Sequence, residues 1–261
     1  MQQLVVIKIG GNIIDDPAKL PGFLKDFATI EGYKILVHGG GKVATEMGKQ
    51  LNIEPAYVNG RRITDAATLQ VVTMVYGGLI NKNIVAALQA RGCNAIGLTG
   101  ADGNIMPAHK RPVKEVDYGF VGDVDSSNVN ATVIQQLLQA GLTPVLAPLT
   151  HDGAGTMLNT NADTIAQEIA KGMANLMQVK LVYCFEKNGV LSNPDDDDSA
   201  IGNIQADNFQ QLIDSNVVSG GMIPKLENAF AAINAGVDKV VIGHADELHS
   251  LIEGTAGTTI S

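Results

Sequence analysis

Leu4-Val5-Val6-Ile7-Lys8-Ile9-Gly10-Gly11 and Lys34-Ile35-Leu36-Val37-His38-Gly39-Gly40-Gly41 repeat one device, a short β-branched run closed by glycines. A helical pattern follows each closure, over 17–30 in the first case and from Val43 to Leu51 in the second. Strand, glycines, helix is the order expected of βα units around a mainly parallel sheet. A strand that ends in glycines and opens a helix points backbone N–H groups and a positive dipole end at whatever sits above it, and phosphate is the commonest tenant. Glycines of this kind also serve simply as tight turns. Two such loops on successive strands, facing one crevice at the strand ends, shift the balance toward anion binding.

The alternation continues outward from this pair. Further strands are predicted at Ala95–Leu98, 143–148, Lys180–Tyr183 and Lys239–Ile242. Helices are predicted at 66–91 as one long element, at 130–140, from Asn161 to Lys171 with a stop at Gly172, at 206–214 and at 224–235. The polar stretch 101–124 and the segment around His151-Asp-Gly-Ala-Gly155 read as hairpins. The chain has 261 residues, and at roughly 150 residues per domain it holds one large domain or two lobes. No linker marks a boundary, so the expectation is two lobes, 1–178 and 179–261, on one continuous sheet.

Composition excludes several classes. With 45% hydrophobic and 17% charged residues the chain is neither disordered nor collagenous. The net charge of −9 and pI near 4.9 argue against a general nucleic-acid or anionic-membrane binder, so an anionic ligand needs a local basic pocket. Aromatics are 4% with no Trp, which makes base-stacking platforms improbable. Cys93 and Cys184 form no Cys-x-x-Cys and read as buried, reduced thiols of a cytoplasmic protein. No apolar run is expected to approach the roughly 18 residues of a membrane span.

Competing motifs are weak. Gly39-Gly-Gly41-Lys-Val-Ala44 fits the dinucleotide pattern G-x-G-x-x-A, but Arg61-Arg62 dominates the region where that fingerprint expects an acidic residue. Nothing fits a Walker A loop, H-E-x-x-H or G-x-S-x-G. Asp195 to Asp198 lacks EF-hand spacing and reads as a solvated loop, and no metal-ligand cluster is found.

Four features carry chemistry or a plainer role. Lys8, in a strand on one face with Val6 and Gly10, either snorkels at the strand end or meets an anion. Lys225 follows Pro224 in a helix's first turn, where a cation opposes the dipole unless an anion balances it. Thr160-x-x-Asp163 fits a capping box within the polar segment Asn159-Thr-Asn161-Ala-Asp163. Arg61-Arg62 is a solvated pair or a carboxylate clamp, since guanidinium alone offers a planar fork.

Taken together, Lys8 with Gly10-Gly11, His38-Gly-Gly-Gly41, Asn59-Gly-Arg-Arg62-Ile-Thr64, Gly119-Phe-Val-Gly122, Asn159-x-Asn161-x-Asp163 and Gly220-Gly221-Met-Ile-Pro-Lys225 resemble the amino acid kinase superfamily. The resemblance runs nearly end to end, up to Gly257-Thr-Thr-Ile260. It implies a three-layer αβα sandwich, with an N-terminal amino-acid lobe and a C-terminal nucleotide lobe. It further implies phosphorylation of the side-chain carboxylate of N-acetyl-L-glutamate by ATP, with Mg2+ bound mainly through the ATP phosphates; a related carboxylate such as carrier-linked aminoadipate is the alternative acceptor. By resemblance, Lys8 and Lys225 stabilise the transition state and Asp163 orients both. Arg62 grips the α-carboxylate and Asn159 the acetamido end, with Asn161, Gly40 and Gly41 also at the substrate and Gly10, Gly11, Gly220 and Gly221 at the phosphates. One departure is clear: the family usually has a Thr-Asp pair before a Pro-Gly-Val turn, whereas this chain reads Cys184-Phe-Glu186-Lys-Asn-Gly189-Val. Arginine-inhibited hexameric members carry an extra N-terminal helix, and here the first strand starts beside Met1, so the expectation is an arginine-insensitive homodimer.

Overall fold

The computed structural model describes residues 1–261 apart from Asn59, Pro194, Asn216, Ser219, Gly220 and Gly221. The expectations for Gly220 and Gly221 therefore lie outside the described residues. From the N-terminus, β1 (Gln3–Ile9) leads into a one-turn α1 (Gly11–Ile14) and α2 (Lys19–Thr29), and β2 (Tyr33–His38) leads into α3 (Gly41–Gln50). A two-stranded ribbon, β3 (Tyr57–Val58) and β4 (Arg61–Arg62), precedes α4 (Ala66–Val72), a π-helical segment Thr73–Ile80 and α5 (Asn81–Gln89). Then come β5 (Ala95–Leu98), the ribbon β6 (His109–Lys110) with β7 (Gly122–Asp123), α6 (Ala131–Gln139) and β8 (Thr143–Leu146). The ribbon β9 (Leu149–His151) with β10 (Met157–Asn159) leads to α7 (Ala162–Met173) and β11 (Gln178–Phe185). The chain closes with β12 (Asn203–Ile204), α8 (Ala206–Asp214), α9 (Met222–Asn234), β13 (Lys239–His244), α10 (Leu248–Glu253) and β14 (Thr258–Ile260).

Eight strands form one sheet in the order β12-β14-β13-β11-β1-β2-β8-β5, antiparallel only between β13 and β14. Strand alternation divides its side chains between two cores. Leu4, Val6, Leu181 and Tyr183 pack with Ile165, Ile169 and Leu226 of α7 and α9 on one face. Ile7, Ile9, Val182 and Cys184 pack with Phe23, Phe27, Val72, Ile84 and Leu251 on the other. The result is the expected three-layer αβα sandwich. The chain winds from β1 outward through β2 in one direction and later returns beside β1 through β11 in the other. Ligands of open α/β sheets bind at such a switch point, beyond the carboxyl ends of the strands.

Two sequence expectations change, and a third needs detail. The helix predicted at 66–91 is continuous over Ala66–Gln89; by length and composition it could cross a membrane, but Gln70, Thr73, Asn81, Lys82 and Asn83 interrupt it, so it holds no unbroken apolar run of about 18 residues. Its apolar residues Val71, Val72, Val75, Ile80, Ile84 and Leu88 instead fill the core of this chain. α7 does not stop at Gly172 but runs through it, because a Cβ there would crowd the Val129 side chain, so this glycine serves packing. The helix cap at the start of α7 is also different, as described next.

Candidate active site

The carboxyl ends of β1, β2 and β11 open into a cleft of about 540 Å³ lined by both glycine loops. Lys8, Arg61, Arg62, Arg111 and Lys225 line it against a single carboxylate among the described lining residues, Asp163. This is the local basic pocket that a chain of net charge −9 requires to hold an anion.

Alternation places Lys8 on the face of β1 covered by α7, where its ammonium is buried and lies 2.7 Å from Asp163 Oδ1. Asp163 is free to do this because it is not part of a capping box. The N-cap of α7 is Asn161, whose Oδ1 accepts from the N–H groups of Asp163 and Thr164 at 2.8 and 3.2 Å. Thr160, the expected capping partner, is buried and pairs with the Thr150 hydroxyl at 2.8 Å. The correction has a simple cause: an Asx cap one residue later satisfies the same orphan N–H groups. Lys225, in the first turn of α9, reaches the same cleft from the other end of the chain. Among the described residues Asp163 pairs with Lys8 and makes no ion pair with Lys225.

The glycine loops are shaped by close approach. Gly40 sits at φ +142°, and a Cβ there would collide with Ile80 Cδ1 and touch the Tyr76 ring. Gly41 begins α3 with open space where a Cβ would be, and with Gly39 and Gly40 it puts the start of the helix in the cleft wall. Beneath this loop His38 is fully buried, its Nδ1 2.8 Å from Gly39 O and its Nε2 3.1 Å from Asn81 Nδ2. Burial lowers its pKa from 6.5 to about 4, so the ring is neutral, and the geometry fits Nδ1–H donating to Gly39 O.

Arg62, at the end of the β3–β4 ribbon, donates from Nη2 to Gly41 O at 2.9 Å and to Thr45 Oγ1 at 2.8 Å, with Tyr57 under its guanidinium. Asn159 donates to Thr64 Oγ1 at 3.0 Å. Gly119, at φ +72°, lets Phe120 N donate to Thr64 O at 2.7 Å, because a Cβ there would collide with that carbonyl. The Gly119-Phe-Val-Gly122 motif thus stitches the Arg62 ribbon to the Asn159 strand, since Asn159 N in turn donates to Phe120 O at 2.9 Å.

Sequence reading passed over Arg111 and Tyr76, both in the cleft wall. Arg111 forms a fork on Asp123, with contacts of 2.6 to 3.2 Å. It lies beside a two-residue strand, too short to show any periodicity. Tyr76 lies on the π-helical segment, where a 3.6-residue period misplaces side chains. Cys184, on the face of β11 opposite Tyr183, is fully buried, which pushes its thiol up to about 12 and leaves it inert.

Residues 3–244 match the family model described as the amino acid kinase family. The chain belongs to the amino acid kinase family. Among curated members, an acetylglutamate kinase from Bacteroides fragilis is 61% identical over 249 residues, covering 95% of each chain. One from Cytophaga hutchinsonii is 59% identical over 263 residues, covering 100% of this chain and 99% of that one. Of solved structures, a Streptococcus mutans protein superposes with a TM-score of 0.78 at 30% identity, covering 99% and 98% of the two chains. The carbamate kinase from Giardia lamblia bound to AMP-PNP shares the fold alone, with a TM-score of 0.67 at 12% identity over 99% and 98%. In this amino acid kinase fold the glycine loops, both lysines and the Arg62 ribbon converge on one cleft.

Proposed function

We propose that this member of the amino acid kinase family transfers the γ-phosphoryl group of ATP to the side-chain carboxylate of N-acetyl-L-glutamate, giving N-acetyl-L-glutamyl 5-phosphate and ADP in arginine biosynthesis. Relatives named acetylglutamate kinase at 59–61% identity over 95–100% of the chain support the reaction. The observation that carries the site assignment is the convergence of Lys8 and Lys225 on one point of the cleft, from β1 and from α9.

A carboxylate acceptor is already ionised at neutral pH, so no general base has to be found. The barrier is the mutual repulsion of anions, and the remedy is positioning with positive charge around the phosphoryl group. Lys8 and Lys225 supply that charge, Asp163 holds Lys8, and the N-terminus of α3 with Gly10 and Gly11 lines the path of the phosphates. Arg62 offers its remaining guanidinium N–H groups to the α-carboxylate, while Asn159 and Asn161 face the amide end. Residues 1–178 serve as the acceptor lobe. Residues 179–261 serve as the nucleotide lobe, with an adjoining cavity of about 240 Å³ beside Val190, Leu191 and Met222 for the base. Mg2+ fits as an ion carried in by ATP, because Asp163 is the lone carboxylate lining the cleft among the described residues and it is engaged by Lys8. When bound, the ion offsets phosphate charge.

The protein is proposed to act as a cytoplasmic homodimer. Met74 and Leu79, 55% and 44% exposed on the π-helical segment, give a second copy an apolar face. A sedimentation mass of twice the 27.3 kDa chain is expected. The reaction is tested by ADP release with N-acetylglutamate, glutamate and carrier-linked aminoadipate, with hydroxylamine trapping of the acyl phosphate. Release with N-acetylglutamate alone supports the assignment, and release only with another acceptor overturns it.

A further inference from the structure

Phe185 ends β11 and lines both the main cleft and the adjoining cavity. Alternation along β11 puts it on the face of Tyr183, and the two rings stack with centroids 6.3 Å apart at 22°. Tyr183 is itself buried, with its hydroxyl 3.3 Å from Asp163 O, so Phe185 is backed by the same structure that carries the Lys8 partner. Lys8 Nζ lies 5.1 Å and Lys225 Nζ 4.4 Å from the Phe185 ring centroid. Both distances are within the roughly 6 Å over which an aromatic face attracts a cation. Two ammonium groups from opposite ends of the chain therefore share one ring.

We propose that Phe185 is a positioning residue that gathers Lys8 and Lys225 at the transferring phosphoryl group. The inference rests on the assignment of those lysines to that group. Two like charges brought together repel, and Asp163 pairs with Lys8 alone among the described residues. A second carboxylate would hold Lys225 but would also repel the phosphate. An aromatic face attracts both cations with no net charge of its own. Its hold is also weaker than a charge-assisted hydrogen bond, so each ammonium is released to phosphate oxygens when nucleotide arrives.

The test is a Phe185→mono-, di- and trifluorophenylalanine series in the full chain, with Phe185→Tyr and Phe185→Leu alongside. Fluorination keeps the ring's shape and apolar surface while draining negative potential from its face. The expected result is a stepwise fall in kcat, reaching about ten-fold at the trifluoro ring, with the acceptor KM and thermal midpoint unchanged. Phe185→Tyr is expected to retain kcat, and Phe185→Leu to match the trifluoro variant or fall below it. A flat kcat across the fluorinated series, with loss only in Phe185→Leu, assigns the ring to packing and overturns the proposal. Lys8→Ala and Lys225→Ala are measured in parallel. Full turnover in both removes the lysine assignment itself, whereas their failure beside a flat fluorinated series removes the Phe185 role alone.

Discussion

Lys8 Nζ and Asp163 Oδ1 are 2.7 Å apart, with the lysine side chain 9% exposed and the aspartate 38%. The pair joins the buried end of β1 to the first turn of α7, where the positive end of the helix dipole also favours a carboxylate. Lys8→Ala is expected to lower kcat by about 10² or more, the scale of losing an electrostatic stabiliser, with far-UV circular dichroism unchanged. Lys225→Ala is expected to do the same. Near-normal turnover in both variants removes these residues from the reaction.

Asp163→Ala leaves the Lys8 ammonium buried without its counter-charge. Breaking a fully buried pair costs about 3–5 kcal/mol, and the partial exposure of Asp163 reduces this to roughly 2 kcal/mol. Urea unfolding is expected to show that loss and to show it relieved in Lys8→Met/Asp163→Ala, where no buried charge is left unpaired. A double variant no more stable than Asp163→Ala contradicts the charge explanation.

Arg62 spends one terminal nitrogen on Gly41 O and Thr45 Oγ1, leaving the rest of its fork for a ligand. Arg62→Lys keeps the charge and loses the plane. The acceptor KM is expected to rise about ten-fold or more with a smaller change in kcat. An unchanged KM removes the carboxylate clamp.

Much of this site was legible in the sequence because its parts are local. Lys8, His38 and the glycines after them are placed by strand alternation and by strand ends, and both can be read within ten residues. The helix-dipole argument for Lys225 was local as well. Phe185 could be read only as a departure, since its meaning depends on lysines that are 177 and 40 positions away in the chain. The Asn161 cap was missed because Thr160 and Asn161 are adjacent and both suit an N-cap. Thr160 is withdrawn from capping by Thr150, a pairing between β9 and the turn after β10. The helix Ala66–Gln89 was legible as one long element, and its apolar residues Val71, Val72, Val75, Ile80, Ile84 and Leu88 pack into the core of the same chain.

Gly40 is expected to tolerate no side chain. Its φ of +142° is a conformation that L residues rarely adopt, and Ile80 occupies the place of a Cβ. Gly40→Ala is expected to lose about 1–3 kcal/mol to overpacking and to displace the start of α3, raising KM for both substrates. The companion change Ile80→Val makes room and is expected to recover part of the stability. Wild-type urea midpoint and KM in Gly40→Ala contradict the close approach.

His38 ties stability to pH. Its folded pKa is about 4 against an ordinary 6.5, because complete burial disfavours the charged ring. Between these values the unfolded chain binds the proton and the folded chain does not, so the number of bound protons is larger in the unfolded state. Stability must then rise with pH across that window, and it is lost as pH falls from 6.5 toward 4. The loss from this group is bounded at roughly 3 kcal/mol, and below pH 4 it no longer grows. Protonation also places a proton on Nε2, which now faces the Asn81 amide donor, so the bond holding the loop against Asn81 breaks. His38→Gln, an uncharged group of similar reach, is expected to flatten the urea midpoint against pH between 6.5 and 4. If the wild-type slope persists in His38→Gln, another group governs the acid limb.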